Sequence, residues 1–151
     1  MAQLTTYQRA ADFIFDRVQT FMVLDTITWT VGAEGEITNE SSAKTAIKGV
    51  IQDLTEEDYP RISAGSIPQS DKKIYVRRDY TLHAGKYLVS TAVTQQFIYS
   101  PTASGSTTTT SAKKYEITKV ERKADVGDNT PDETTSNNTV YSLAYLKELP
   151  N

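Results

Sequence analysis

The first residue to test for catalytic chemistry is His83, the only histidine of the chain. It lies in the stretch "TLHAGK", next to the turn that Gly85 predicts. A Ser-His-Asp site needs a serine and an acid held beside the histidine, and the sequence contains no G-x-S-x-G motif to present such a serine. Of the two interpretations, catalytic base and exposed turn residue, we adopt the second. We predict no catalytic residues and a protein that is not an enzyme.

Acidic residues gather in the stretch "DVGDNTPDE", which holds Asp125, Asp128, Asp132 and Glu133. Carboxylate oxygens are calcium ligands, but this spacing does not match the EF-hand loop. A solvated loop is the alternative that we adopt. A zinc site would have to be built from one histidine, carboxylates and no cysteine, which is uncommon. We therefore predict no metal and no cofactor.

Glycines in "VGAEGE" are the remaining candidates for a ligand site. Gly32 and Gly35 precede neither a helix nor a Lys-Ser/Thr pair, so they do not form a phosphate-binding loop. We interpret them as turn glycines.

Basic residues form two groups, one around Arg77 and Arg78 and one in residues 113–123. Strand alternation would divide each group between two faces of a sheet. Ion pairs within the chain or with a neighbouring subunit explain both groups, and phosphate contacts are the alternative. The formal net charge is -3, whereas a DNA-gripping monomer usually has a basic excess. We expect no sequence-specific DNA binding.

Composition places the chain among single globular domains. It has 151 residues, 38% of them hydrophobic, and no cysteine, which is enough to bury one core. The sequence contains no apolar run of about 18 residues, the length needed to span a bilayer as a helix, and we expect no membrane contact and no secretion signal.

Residues 5–22 are predicted to form an N-terminal helix. Thr5 and Gln8 match a capping box. Apolar residues recur at helical spacing, and the set is Tyr7, Ala10, Ala11, Ile14, Val18, Phe21 and Met22. This apolar stripe packs either on its own domain or in part on a neighbouring subunit, and the sequence leaves both open.

Six segments are predicted to be strands, because in each of them apolar or β-branched residues alternate along the chain and turn-forming residues lie at the ends. They are residues 25–31, 45–54, 72–82, 87–99, 113–123 and 139–149. In the first, Ile27, Trp29 and Val31 share the face that we expect to be buried. Thr55 and Asp58 are placed to cap one helical turn, and Gly49 marks a bulge or a close backbone approach.

The fold class that follows is mainly β, a small antiparallel β-barrel or sandwich of about six strands with an N-terminal α-helix and long polar loops. We predict one domain over residues 1–151. Residues 101–112 and 125–139 are predicted to be flexible loops, because their Ser, Thr, Gly and Asp content cannot bury enough apolar surface.

Four stretches resemble the head-completion, or head-tail stopper, proteins of the neck of tailed bacteriophages: "KGVIQDLTEEDYPRISAG", "KIYVRRDYTLHAGKYL", "KYEITKVE" and "VYSLAYLKEL". In that family a strand with a G-x-I-x-x-L pattern leads into a polar turn and a glycine. A strand ending in a glycine turn, a Y-x-V/I-x-x-V strand and a last aromatic strand follow. The matching positions are Gly49, Ile51, Leu54, Gly65, Leu82, Gly85, Lys86, Tyr115, Ile117, Val120, Tyr141 and Tyr145.

The resemblance implies a homo-oligomeric ring of six or twelve copies in the virion neck, assembled in the host cytoplasm. Such a connector closes the portal channel and docks the tail, while packaged DNA passes without sequence-specific binding. Its partners would be copies of itself, portal or adaptor proteins, and tail proteins. Candidate channel or partner residues are those of the Ser/Thr-rich loop: Pro101, Ser104, Gly105, Ser106, Thr107 and Thr108. Candidate ring-interface residues are Arg77, Arg78, Tyr141 and Tyr145.

Two alternatives stay open at the level of the sequence. The prominent N-terminal helix and the two long loops depart from the family pattern, so a tail terminator, a portal adaptor or another tail or capsid accessory protein also fits. A stand-alone small β-barrel that binds a sugar or an oligonucleotide is the second alternative.

Overall fold

The computed structural model describes residues 6–18, 20–89, 91–124 and 139–150, and within them two helices and seven strands. The helices are α1 (Thr6–Phe15) and α2 (Asp58–Ser63). The strands are β1 (Phe21–Val31), β2 (Ile37–Asp53), β3 (Lys72–Arg77), β4 (Lys86–Val89), β5 (Ala92–Ser100), β6 (Lys113–Ala124) and β7 (Thr139–Glu148). The predicted loop 125–139 lies outside the described residues apart from Thr139, which begins β7.

Six strands close into an antiparallel barrel, as the sequence predicted. Their order is β1-β2-β3-β7-β6-β5, and β5 returns to pair with β1 from Val23–Tyr99 to Thr30–Ala92. Every pairing is antiparallel. β4 is an additional strand that pairs with β5 alone among the described residues.

The interior of the barrel is filled by alternate apolar side chains from each strand. Met22, Ile74, Ile98, Ile117 and Leu146 are all essentially inaccessible to solvent. Burial on this scale is the main favourable term in folding. Gly49 lies where β2 crosses this core, and a Cβ there would fall 2.6 Å from the Tyr75 carbonyl oxygen. The predicted close backbone approach at Gly49 is therefore confirmed.

A second apolar cluster lies on the outer face of β7. Leu143 and Tyr145 project there, opposite in parity to the interior residues Ala144 and Leu146. Leu54 and Ile67, which flank α2, cover them. The predicted turn at Thr55 is present: Asp58 Oδ2 accepts hydrogen bonds from the Thr55 amide at 2.8 Å and from its hydroxyl at 2.9 Å.

The N-terminal helix is shorter than the prediction of residues 5–22. It ends at Phe15, and Phe21 and Met22 begin β1 instead. The Met22 side chain points into the barrel, where it belongs to the main core. Burial in the barrel thus overrides the helical spacing of the last apolar residues.

The segment predicted as one strand over residues 87–99 is two strands. The chain reverses between Val89 and Ala92, so that β4 and β5 form a hairpin. The β5–β6 hairpin is short, since only Phe97–Ser100 pairs with Lys113–Glu116. The first half of β5 pairs with β4 and β1 instead.

Residues 37–44, which lie between the predicted strands 25–31 and 45–54, belong to the exposed first half of the long strand β2. Together with parts of β1, β4 and β5 this half of β2 forms a four-stranded layer. This layer lies beyond the segments where β2 pairs with β3 and where β5 pairs with β6. We call residues 26–31, 37–43, 86–89 and 92–96 the extended sheet. Ile27, Trp29 and Val31 share one face of it, as predicted, but that face is only partly buried. It is the outer face, because Met22 and Leu24, of the opposite parity, point into the core.

Candidate assembly surfaces

Helix α1 turns a polar side toward the barrel. Its buried residues are Gln8, Asp12 and Phe15, and it contacts β3 and β7. The Gln8 amide nitrogen donates to the Thr139 carbonyl oxygen at 3.0 Å. Tyr7 and Ile14, from the predicted apolar stripe, are 66% and 60% exposed. Packing of the whole stripe on its own domain is therefore wrong, since Tyr7, Ala10 and Ile14 are exposed.

Ion pairs hold α1 in this orientation. Arg78 Nη2 lies 2.9 Å from Asp12 Oδ2, and Arg77 Nη1 lies 2.8 Å from Asp16 Oδ1. Asp79, in the turn after β3, pairs with both arginines at 2.9 and 3.2 Å. Arg77 and Arg78, the predicted ring-interface residues, are thus engaged with their own chain. Their role in the described structure is to fix the helix.

Beside the outward face of α1 lies an apolar groove with a volume of about 360 Å³. Tyr75 and Tyr141 line it with their rings 5.8 Å apart. The full lining is Tyr7, Ala11, Ile14, Phe15, Val50, Gln52, Tyr75, Val140 and Tyr141. The groove and the exposed side of α1 form one continuous surface, which we call the helix face. Tyr141, a predicted interface residue, lies on it.

Tyr145, the fourth predicted interface residue, is 1% exposed and belongs to the outer-face cluster of its own chain. Its hydroxyl accepts a hydrogen bond from Arg61 at 3.1 Å, and Arg61 also pairs with Glu121 at 2.8 Å. Burial, with the nearby Glu121 charge, raises the pKa of Tyr145. This burial argues against Tyr145 as an interface residue.

The outer face of the extended sheet carries a second apolar patch. Trp29 lies opposite Val93, and Val93 lies opposite Leu88, so the three side chains form a row across β1, β5 and β4. Leu88 is 72% exposed. Lys86 on the same face lies 5.5 Å from the Trp29 ring, a cation–π distance. In the order of strands around the barrel, the β1–β5 pair is opposite the β3–β7 pair that carries α1.

The loop over residues 101–112 leaves the barrel between β5 and β6 and has no regular secondary structure. It is tied at its start by the Thr102 amide, which donates to the Phe21 carbonyl oxygen at 3.1 Å. Further along, the Thr108 amide donates to the Ser106 hydroxyl at 3.0 Å. The side chains of Pro101, Ser104, Thr107 and Thr108 are exposed, Ser106 is half-buried, and Gly105 adopts a positive φ of 70°.

Three of the residues tested above for chemistry, His83, Gly32 and Gly35, lie within the described part of the chain. The His83 ring stacks on Tyr87 at 4.0 Å. Gly32 and Gly35 form the β1–β2 turn, in which the Gly32 amide donates to the Glu36 carbonyl oxygen at 2.8 Å. Asp125, Asp128, Asp132 and Glu133 lie outside the described residues. Within the described residues no cluster of metal-ligating side chains is found, and no helix among them is long and apolar enough to cross a membrane.

The basic groups make ion pairs within the chain, as one of the two interpretations expected. In the second group, Lys123 and Lys119 both approach Glu121, at 2.9 and 3.6 Å. In the first group, Lys72 pairs with Asp53 and Lys73 with the buried Asp58. Asp79 is a further partner in the first group, whereas the nearby Asp71 accepts a hydrogen bond from the Glu148 amide.

No protein-family model, curated protein sequence or solved structure matches this chain.

The sequence analysis missed two features of these surfaces. The polar inward side of α1 depends on the arginine pair at the end of β3, which only the tertiary structure brings to Asp12. The open edges of the extended sheet depend on where β3 and β6 stop pairing with β2 and β5. The polar side of α1 did have a signal in the sequence: Asp12 and Asp16 are one helical turn apart, which places both on the same side of the helix.

Proposed function

We propose that this protein is a structural ring component of a bacteriophage neck, of the head-completion or head-tail stopper kind. In this role the protein assembles with other chains and catalyses no reaction. The ring would hold six or twelve copies, close the portal channel and dock the tail. The four sequence stretches given above support this family, and the β-barrel with an appended helix is compatible with it.

The observation that carries the proposal is the helix face. An amphipathic helix in a lone globular domain normally buries its apolar stripe, yet α1 leaves Tyr7 and Ile14 outward, beside an apolar groove. Contiguous exposed apolar surface marks sites of contact with another macromolecule. The arginine pair holds the helix in this orientation, so the surface is already formed before any partner binds.

The position of the two apolar surfaces also supports assembly. The helix face and the outer face of the extended sheet lie on opposite sides of the barrel. Two neighbours can therefore bind one copy at the same time. Contacts between different surfaces of identical chains produce closed rings when the rotation closes, and repetition turns modest contacts into a stable assembly.

Contact with packaged DNA would be weak in this role. Arg77, Arg78 and Lys73 already have acidic partners within the chain, and the formal net charge is -3. A channel wall with few unpaired cations lets a duplex pass, because phosphate binding depends on Lys and Arg that release counterions.

The test is the mass of the purified protein in solution, alone and after mixing with portal and tail components, combined with electron microscopy of the particles. We expect a ring of six or twelve copies, alone or with a partner. A protein that stays monomeric in every mixture contradicts the proposal. A ring that binds only the tail end would identify a tail terminator instead of a head-completion protein.

The groove favours a second candidate function, a stand-alone binding module. Its volume of about 360 Å³ is within the range of small-molecule sites, and Tyr75 and Tyr141 provide ring faces. This alternative predicts a monomer whose tyrosine fluorescence changes on adding an apolar or sugar ligand. Failure of a panel of such ligands, together with ring formation, would exclude it.

A further inference from the structure

The extended sheet has two open edges within the described part of the chain. On one side, β2 pairs with β3 only from Gly49 to Asp53, which leaves the outer edge of residues 37–48 without a strand partner there. On the other side, β4 pairs with β5 and with no further described strand. Such edges present rows of backbone donors and acceptors that template pairing with another chain.

The directions of the strands permit this sheet to repeat. Its three pairings, β2–β1, β1–β5 and β5–β4, are all antiparallel. β4 therefore runs in the same direction as β1 and opposite to β2. When copies repeat side by side, β4 of the next copy meets β2 in the antiparallel sense. Each junction then has the same pairing as the sheet itself.

Charges on the two edges are complementary. One row of opposite residues crosses the sheet from Lys86 on β4, through Gln95 and Ile27, to Ser42 on β2. Glu40, two residues from Ser42 on β2, is therefore on the same face of the sheet as Lys86. Both side chains are exposed. Opposite charges directly across a strand pair stabilise the pairing.

Apolar side chains lie at the ends of the same edges. Ile37 begins β2 and is 64% exposed, while Val89 ends β4 and is 55% exposed. An antiparallel pairing with Lys86 opposite Glu40 brings Val89 to the end of β2 that holds Ile37. The charged pair and the apolar contact thus select the same register.

We propose that β4 of one copy pairs with the outer edge of β2 in the next, with Lys86 opposite Glu40, so that the extended sheet continues from copy to copy. This inference rests on the proposed ring function and names its lateral contact. Main-chain hydrogen bonds supply the affinity, as in other cases of strand addition. Four residues of β4 make each contact small, and closure of the ring makes the set of contacts stable.

A disulfide between the edges tests the contact directly. The chain has no cysteine, so Glu40→Cys with Lys86→Cys introduces the only two thiols. Within one copy these positions are separated by three strand spacings, about 14 Å, beyond the roughly 7 Å that a disulfide can bridge. Mild oxidation should give a ladder of covalent multimers on a denaturing gel, up to the size of the ring. Each single-cysteine variant should give dimers at most.

Charge exchange tests the register. Glu40→Lys and Lys86→Glu should each raise the concentration at which half of the protein is assembled by about threefold or more, and the double variant should restore it. Glu34→Lys, the same charge change in the turn of the same hairpin, is the matched control and should have no effect. A double variant that assembles no better than the worse single variant contradicts the pairing.

The outcomes separate this inference from the proposed function. Rings that form while the double-cysteine variant gives no ladder overturn the edge pairing and leave the ring function standing. A wild-type protein that remains monomeric, both alone and with portal and tail components, overturns both the edge pairing and the ring function.

Discussion

The Lys73 ammonium lies 2.9 Å from Asp58 Oδ2, and both side chains are more than nine-tenths buried. The pair joins β3 to α2, across the outer-face cluster. Removing one member of a buried ion pair leaves an uncompensated charge, which costs about 3–5 kcal/mol. Lys73→Met should lower the free energy of unfolding by that amount in urea denaturation.

The neighbouring residue provides the control for this prediction. Lys72 pairs with Asp53, whose side chain is largely exposed, and exposed pairs contribute about 0–1 kcal/mol. Lys72→Met should therefore change the free energy of unfolding by no more than that. Equal effects of the two variants would mean that the Lys73–Asp58 pair is solvated.

The same pair predicts how stability depends on pH. Burial alone would raise the pKa of Asp58, but hydrogen bonds from Thr55 and Lys73 outweigh it and lower the pKa below 3.8. The pKa of Glu121 is also lowered, because Lys123 and Arg61 outweigh the effect of its burial. Between the folded and unfolded pKa values the unfolded chain binds more protons, so stability rises with pH there.

The stabilisation from Asp58 is therefore fully present near neutral pH and is lost as the pH falls below about 4. Asp58→Asn should be less stable than wild type at pH 7 and should show a flatter loss of stability between about pH 4 and pH 2. The measurement is urea denaturation at a series of pH values. A variant with the same acid slope as wild type would exclude Asp58 as a source of that slope.

Adjacent residues of α1 should behave differently because one faces outward and the other faces the barrel. Ile14→Ser should change the free energy of unfolding by less than about 0.5 kcal/mol, since surface substitutions rarely exceed this, while it weakens assembly with a neighbouring chain. Phe15→Ala should cost about 3 kcal/mol, because Phe15 is buried. Thermal unfolding and solution mass together check both. A large loss of stability in Ile14→Ser would show that the helix face is part of the core.

The loop over residues 101–112 should be dispensable for folding. Ser100 pairs directly with Lys113, so β5 and β6 already meet where the loop begins. Replacing residues 103–110 with two glycines keeps the Thr102 contact with Phe21 and leaves a connection of ordinary length. The melting temperature should fall by no more than about 3 °C, roughly the effect of 1 kcal/mol in a domain of this size. A fall above about 10 °C would mean that the loop packs as part of the domain.

The sequence predicted the barrel because its strands alternate. Ile74 and Val76 alternate with polar residues in the predicted strand 72–82, and both are in the core. Gly49 was recognised because a glycine inside a strand signals a close approach. These predictions depend on local pattern, which a single chain reveals.

The errors arose where partners distant in sequence decide the outcome. The apolar stripe of α1 gave no sign that Arg77 and Arg78, more than sixty residues later, would draw Asp12 inward. The sequence could not predict that Trp29 lies on the outer face of the sheet. Alternation divides the residues of a strand between two faces, but it does not indicate which face is buried. Tyr145 shared its parity with the partly exposed Tyr141 and is covered by residues around α2.

The anchoring of α1 by charge also bears on how the molecule moves. A helix that docks through Asp12 and Asp16, with Phe15 as its main apolar contact, contributes little to the central core. Its amides should therefore exchange with deuterium through local opening, at a lower free energy than those of β3 and β7 beneath it. Added salt should speed that exchange while the barrel strands remain protected, because screening weakens the more exposed Arg77–Asp16 pair and leaves buried apolar contacts intact.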